Sequence, residues 1–439
     1  MERVKNQFFK YVIPSMFAML LTGFYAIVDG FFVGRATGDI GLAGINIAWP
    51  ITALILAAGT GIGTGGAVLM SMRRGEGKLE EAGHAKGNTF VMLIAGSIVL
   101  TALLKWTYPA ILRAFGAQGE IYKAAAEYID IIVWGCTLQI LGAGISPVIR
   151  NDGKTIHAMV MMVAGLIVNI ILDAWFVMGL DWGLKGAALA TITAQGVVAL
   201  LGFLILATEP REDRIRLIWL KPNKTLIVKL MKIGISPFGM SLAPSIIIIL
   251  NNWQCLAYGG DNAVAAYAVV SYIISSVQLL LAGVGDGIQP LISFYCGAKQ
   301  YQIMNQIRNR GIFLSVGLGL ILTFGTILTR KWIPVAFGTS VQTGILIESA
   351  LVISSISFVL IGLVRLSSSY FYACGKSKFS LFLIYGDPVV FTPVLLILLP
   401  MWFGIDGIWN ALPAAQGILA VLLIPMYRSV GKQQLKEVA

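Results

Sequence analysis

Two carboxylic acids, an amide and a hydroxyl lie in otherwise apolar segments, and together they could bind a cation. Asn169 and Asp173 are four residues apart, so a helix places both on one face. Thr191 follows in the next apolar segment, and Asp29 lies in the first one. A charged group inside an apolar span costs at least ~2.5 kcal/mol, so such a group usually has a partner and a function.

The spacing predicts that these four side chains lie at one depth. Asp29 and Asp173 are each six residues, or ~9 Å along a helix, from the turn that ends their segment. Thr191 is five residues past the next turn, and Asn169 is one helical turn deeper. Carboxylate, amide and hydroxyl oxygens suit a hard cation such as Na⁺, whereas a pair of carboxyl groups in a low-dielectric site suits a proton carrier. We predict a cation-binding site here, with H⁺ and Na⁺ both open.

The composition requires that these residues belong to a membrane protein. The 439 residues are 57% hydrophobic and only 12% charged, whereas soluble domains have about 25% charged residues. A membrane-spanning helix needs ~20 mostly apolar residues. Twelve segments meet this length: 8–34, 40–72, 85–109, 122–149, 155–179, 184–207, 226–258, 262–296, 311–329, 341–373, 378–401 and 405–427.

The distribution of basic residues predicts the orientation of these spans. Of the 32 Lys and Arg residues, 24 lie at the N-terminus or beside the loops after even-numbered spans, and 7 lie beside the other loops. Basic residues concentrate on the cytoplasmic side, so both termini are predicted to be cytoplasmic. The same pattern accounts for the net charge of +11 without a nucleic-acid partner. We expect a multi-pass protein of the plasma membrane.

The two halves of the chain repeat at an offset of 221–222 residues. This offset predicts an N-terminal lobe at 1–208, a cytoplasmic linker at 209–224 and a C-terminal lobe at 225–439. Because each repeat has six spans, both keep the same orientation, as in transporters built from parallel repeats around a central cavity. The matching pairs include Gly38 and Gly260, Gly116 and Gly338, Gly153 and Gly375, Gly183 and Gly404, and Gln195 and Gln416.

The second repeat carries different polar groups. Where the first repeat has its span-1 acid, the second has Asn251 and Asn252, so cation binding is expected only in the first lobe. Asp286 and Arg365 lie ~15 Å from the cytoplasmic turns, where they could pair with each other or face the cavity. We predict that these four residues and Gln289 line a substrate cavity.

Two further predictions concern motion and chemistry. Pro14 interrupts helical hydrogen bonding in the first span and is predicted to act as a hinge. The sequence contains no HExxH motif and no Ser–His or Cys–His constellation, so we predict no catalytic residue, no enzyme activity, no cofactor and no metal site beyond the coupling ion.

These residues resemble a known family, the multidrug and toxic compound extrusion (MATE) exporters, and are nearest to its MepA-like bacterial branch. The resemblance covers essentially the whole chain. In this family the residues that match Asp29, Asn169, Asp173 and Thr191 form the cation site of the N-terminal lobe. NorM-type members also carry acids in spans 7 and 10, which this sequence lacks. The resemblance is carried by Pro14, Asp29 and Gly34 in span 1, by Pro50, Gly59–Gly66, Ser71 and Gly75 in span 2, and by Asn169, Asp173 and Thr191.

The resemblance implies a secondary active multidrug exporter, in which amphipathic and often cationic compounds exchange for H⁺ or Na⁺ by alternating access. Small molecules and membrane lipids are the expected partners, and we expect a monomer. A lipid-linked oligosaccharide flippase of a related two-lobe fold is the alternative, although its cavity should hold more Arg and Lys. An intramembrane enzyme and a receptor fit the sequence less well.

Overall fold

The computed structural model describes residues 2–210 and 214–438, apart from the side chains of residues 3, 24–27, 29–31, 39 and 436–438. Within this description the secondary structure is entirely helical. The α-helices are α1 (Glu2–Gly75), α2 (Leu79–Ala114), α3 (Gly119–Trp134), α4 (Cys136–Asn151), α5 (Thr155–Asp173), α6 (Gly183–Ala207), α7 (Lys224–Gly297), α8 (Tyr301–Thr329), α9 (Trp332–Ala336), α10 (Val341–Ser355), α11 (Ser357–Ala373), α12 (Ser377–Gly386), α13 (Thr392–Phe403) and α14 (Ile405–Val438). Two π-helical segments, Ala174–Gly179 and Asp387–Phe391, continue α5 and α12, and a 3-10 turn lies at Leu217–Leu220.

These helices give twelve membrane spans. Among the described residues, eight helices are long and apolar enough to cross a membrane, and the bent pairs α3–α4 and α10–α11 add two more. The 74-residue α7 is counted there as one helix although its break at Gly260 divides it into two spans, which gives an eleventh span. The part of α1 before Gly38 is the twelfth. The prediction of an all-α membrane protein with twelve spans in two repeats is confirmed.

The backbone repeats as the sequence does. Gly38 breaks α1 with φ 60° and ψ −155°, and Gly260 breaks α7 with φ 61° and ψ −156°. A residue with a Cβ atom rarely adopts a positive φ, so glycine at both positions allows one long helix to become two spans. Three other pairs of the predicted repeat also have positive φ in both members: Gly116 and Gly338, Gly153 and Gly375, and Gly183 and Gly404.

The chain forms two compact units that do not follow the predicted lobe boundaries. Met1–Met19 groups with Ala243–Ala439, here called the C-unit, and Leu20–Leu242 forms the N-unit. The first part of α7 therefore belongs with the first half of the sequence, and the first part of α1 with the second half. The division into lobes 1–208 and 225–439 with a linker at 209–224 stays a prediction.

The first parts of α1 and α7 are called here the exchanged segments, because each packs with the other half of the sequence. Glycine allows them to pack closely within each unit. In the N-unit, a Cβ atom added to Gly61 of α1 would lie 2.9 Å from the carbonyl oxygen of Gly234 in α7. In the C-unit, one added to Gly283 of α7 would lie 2.7 Å from the Cα atom of Met16 in α1. Small residues let helix backbones approach in this way in membranes.

The described part of the 209–224 segment is fixed to α2. Trp219 is buried, and a Cβ atom added to Gly83 would lie 2.4 Å from its indole ring. The Asn88 side chain donates to the carbonyl oxygens of Trp219 and Lys221, at 3.2 Å each, and accepts a hydrogen bond of 2.8 Å from the backbone of Asn223. The segment between the repeats is thus held by specific contacts with the N-unit.

Candidate functional site

Close contacts fix the register between α5 and α6, the two helices that carry most of the predicted cation site. A Cβ atom at Gly165 in α5 would lie 2.3 Å from the Val198 side chain in α6. At the other end of the hairpin, a Cβ atom at Gly186 would lie 2.9 Å from the backbone of Phe176. The two helices therefore run antiparallel with these pairs opposite each other.

This register brings Asn169, Asp173 and Thr191 to one level of the N-unit. Thr191 lies opposite residues 171–172, between the levels of Asn169 and Asp173, which are one helical turn apart on the same face. The exposed fractions are 0% for Asn169 and Asp173 and 7% for Thr191, so all three are buried. All three side chains are thus buried near one level of the N-unit, and their common role in cation binding stays a prediction.

The Asn169 carboxamide is the observation in this group that calls for a ligand. Neither its oxygen nor its nitrogen has a hydrogen-bond partner among the described residues. A buried amide without a partner is rare in proteins and is commonly explained by a bound ion or water. The α-helix also changes to a π-helical segment directly after Asp173, at Ala174–Gly179, and such segments are frequent at functional sites.

The fourth predicted residue, Asp29, lies outside the side chains that the structure describes. It belongs by position to the N-unit, as the other three residues do. The break in the described backbone of α1 lies at Gly38 rather than at Pro14, which is buried in the C-unit. The roles of Asp29 in cation binding and of Pro14 as a hinge stay predictions.

The predicted substrate residues of the second repeat have different surroundings. Asn251 is buried and lines a small cavity within the C-unit, while Asn252 is half-buried. Gln289 is buried, and its carboxamide donates to the Ser293 hydroxyl at 2.9 Å. Asp286 is half-buried. Their common role in binding substrate stays a prediction.

The fifth residue of that set, Arg365, has neighbours that the sequence argument missed. Its Nη2 donates to Oε1 of Gln278 at 3.3 Å, and it interacts electrostatically with Asp387. The possible pairing of Arg365 with Asp286 also stays a prediction. Asp387 lies 22 residues further along the chain than Arg365, in the next span, so no local spacing indicated this neighbour.

A buried ionic cluster at one end of the N-unit was not predicted from the sequence. Lys86 is 1% exposed, and its Nζ lies 2.8 Å from Asp152 and 2.7 Å from Glu209. Arg74 lies 2.5 Å from the other oxygen of Asp152, and Lys154 lies 3.2 Å from the other oxygen of Glu209. In the sequence, the basic residues of this cluster contribute only to the charge distribution between the loops, because their acidic partners are far away in the chain.

The electrostatics of this cluster are dominated by burial. Burial raises the pKa of the Glu209 carboxyl above its ordinary value, and the nearby Asp152 carboxylate raises it further. Lys86 and Lys154 oppose this shift without cancelling it. The cluster therefore holds two buried carboxylates and three cations, and its residues come from the ends of α1, α2, α4, α5 and α6.

Twelve spans in two parallel repeats are a layout of membrane transporters. A protein-family model, MatE, matches residues 14–175 and 238–393, which is more than half of the chain. The chain belongs to the MatE family; it is a multi-pass membrane transporter and not an enzyme.

The similar proteins include the multidrug export protein MepA of Staphylococcus haemolyticus, 24% identical over 93% of this chain and 90% of that protein. MepA of Staphylococcus aureus strain NCTC 8325 / PS 47 is 25% identical over 95% and 92%.

Solved structures share the fold. A MATE protein in complex with MaL6 has a TM-score of 0.93 at 21% identity, over 99% of this chain and 97% of that one. An outward-facing multidrug resistance transporter of the MATE family has a TM-score of 0.92 at 22% identity, over 98% and 96%.

Proposed function

We propose that this protein is a secondary active multidrug exporter, which exchanges amphipathic and often cationic organic compounds for H⁺ or Na⁺. The buried Asn169 carboxamide without a described partner, beside Asp173 and Thr191, is the observation that carries the proposal. Its neighbours supply the carboxylate and hydroxyl oxygens that a hard cation needs. The names of the similar staphylococcal proteins support the export of many compounds.

Coupling requires that the cation binds one conformation better than another. A ligand shifts a conformational equilibrium only by its differential affinity for the two states. We infer that a cation at Asp29, Asn169, Asp173 and Thr191 stabilises the state from which substrate leaves to the outside. After the cation and substrate have left, the empty protein returns by alternating access to the conformation in which the cation site is accessible again. The reaction needs no cofactor, because the ion gradient supplies the free energy.

The cellular setting follows from the charge distribution. We propose that the protein lies in the bacterial plasma membrane with both termini in the cytoplasm, since most Lys and Arg residues flank one set of loops. It would work as a monomer surrounded by lipid. The many exposed apolar side chains on the spans, such as Phe313, Leu328 and Trp106, suit lipid contact.

Transport in vesicles with separately imposed pH and Na⁺ gradients tests the proposal. Asp173→Asn should abolish gradient-driven efflux of a cationic dye, because the neutral amide cannot carry the charge change on ion binding. The matched control is Asp181→Asn, which makes the same change at an exposed position in the loop after α5 and should leave efflux intact.

The same assay identifies the coupling ion. A Na⁺ site predicts that efflux rises with sodium at fixed pH, whereas a proton site predicts that it follows pH, with an apparent midpoint that belongs to the coupled carboxyl groups. Full dye efflux by the double variant Asp29→Asn/Asp173→Asn would overturn the coupling site.

A further inference from the structure

A half-buried carboxylate, that of Asp387, lies far from both ends of a span in the C-unit. It is 12 residues from the turn at Gly375 and 17 from the turn at Gly404, so it lies ~18 and ~25 Å along the span from its two ends. Thr392 Oγ1 and Gln416 Nε2 each donate to one of its oxygens at 2.6 Å. An ionisable residue at this depth is expected to have a function and a charged partner.

The charged residue that acts on Asp387 is Arg365, in the preceding span of the same unit, and the two interact electrostatically. In the first repeat, Ala143 stands where the second has Arg365, and Gly165 or Leu166 stands where it has Asp387. Both members are thus replaced by uncharged residues in the N-unit, so the pair is a feature of the C-unit alone.

This pair holds the side chain of Gln278 in one orientation. Arg365 donates to the Gln278 carbonyl oxygen, because a guanidinium has only donors. The two ends of a carboxamide point apart, so the Gln278 NH₂ group is directed away from Arg365. Thr392 and Gln416 donate hydrogen bonds to Asp387, Asp387 interacts electrostatically with Arg365, and Arg365 donates a hydrogen bond to Gln278.

Gln278 lines the small cavity of the C-unit. The cavity has a volume of about 30 Å³, which is room for about two water molecules or a group of similar size. Its polar lining is neutral and includes Asn251, Ser275 and Ser354, with the ring of Trp409 beside them. No carboxylate lines it among the described residues, whereas the guanidinium of Arg365 is hydrogen-bonded to the lining residue Gln278, so these surroundings favour an acceptor over a cationic group.

We propose that Gln278 is a substrate-binding residue that donates a hydrogen bond to a carboxylate on the transported compound. Arg365 and Asp387 are positioning residues that act through Gln278. The inference rests on the proposed export function and refines its substrate class. Zwitterionic amphiphiles should be preferred over otherwise identical compounds in which the carboxylate is esterified.

Two fluorescent dyes that differ only in this group test the inference. Rhodamine 110 carries a free carboxylate, and rhodamine 123 is its methyl ester. For each dye, efflux from vesicles and the Kd for the purified full-length protein are measured. Wild-type protein should favour the acid, and Gln278→Ala should reduce the acid-to-ester ratio about tenfold, the loss expected for a hydrogen bond to a charged group. Gln254→Ala, the same change in α7 away from the cavity, should leave the ratio unchanged.

A double variant separates positioning from a structural role. Arg365→Met/Asp387→Asn removes both charges and leaves neither stranded, so it should fold. It should lower the acid-to-ester ratio in the same direction as Gln278→Ala, and adding Gln278→Ala to it should lower the ratio no further. A ratio that stays at the wild-type value in Gln278→Ala would overturn the inference.

The two measurements also distinguish this inference from the proposed function. If the binding ratio responds to Gln278→Ala but neither dye is exported by wild-type protein, the export function fails and the subsite stands. If both dyes are exported and the ratios do not respond, the subsite fails and the export function stands. Binding of neither dye overturns the subsite.

Discussion

Replacing Lys86 by Met should destabilise the N-unit, because it removes the cation shared by two buried carboxylates. The Lys86 ammonium lies 2.8 Å from Asp152 and 2.7 Å from Glu209, and its side chain is 1% exposed. Methionine keeps an unbranched apolar stem, so the packing changes little. What changes is that both carboxylates lose their common partner in a region with little water.

The structure allows an estimate of the size of this effect. Breaking a buried ion pair by removing one partner costs ~3–5 kcal/mol. Here Asp152 keeps Arg74 at 2.5 Å and Glu209 keeps Lys154 at 3.2 Å, so we expect the lower end of that range. With an unfolding entropy of about 2.1 cal/mol/K per residue, ~3 kcal/mol lowers the Tm of a unit the size of Leu20–Leu242 by ~6 °C.

Heat unfolding of the purified protein in detergent, followed by tryptophan fluorescence, measures this shift. The control is Lys78→Met, whose side chain is 51% exposed and pairs with Glu76 and Glu81 at the surface. Surface pairs contribute little, so this control should melt close to the wild-type protein. The double variant Lys86→Met/Glu209→Gln should be more stable than Lys86→Met, because it strands one carboxylate fewer. A Lys86→Met protein that melts with the wild type would refute the reasoning.

Two further predictions follow from the N-unit and the topology. Because the pKa of Glu209 is raised in the folded protein, the folded state binds more protons than the unfolded chain. The Tm should therefore fall as the pH rises from about 4.5 through the raised pKa. The variant Glu209→Gln should show a weaker dependence of Tm on pH. Single cysteines in the 214–224 segment should react with impermeant thiol reagents only from the cytoplasm, and those at Gly259–Asp261 only from outside; the opposite pattern would reverse the predicted orientation.

The parts of this fold that depend on local pattern were predictable from the sequence. Span length and hydropathy predict the helices, because a bilayer fixes how many apolar residues a span needs. The constant offset predicts the repeat, and the glycines at positions 38 and 260 then prove to break their helices in the same way. The four-residue spacing of Asn169 and Asp173 predicts a shared face, and the structure buries both residues completely.

What the sequence did not indicate depends on contacts between distant segments. Lys86 and Glu209 are 123 residues apart, and nothing in their flanking sequence marks them as partners. Equal depth predicts that Arg365 could pair with Asp286, and this stays a prediction, because depth does not determine which sides of two helices face each other. The interactions of Arg365 with Gln278 and Asp387 became visible only in the folded chain.

The exchanged segments also bear on how such a chain could arise and be divided. The first 19 residues complete the unit built from the second half, and residues up to Leu242 complete the unit built from the first half. A protein with a single repeat would therefore lack the segment that completes its unit, and two copies would have to exchange these segments. Duplication and fusion into one polypeptide make this exchange intramolecular, so that assembly of the two units no longer depends on protein concentration. A protein cut between its repeats would form two fragments that complete each other, rather than two independent domains.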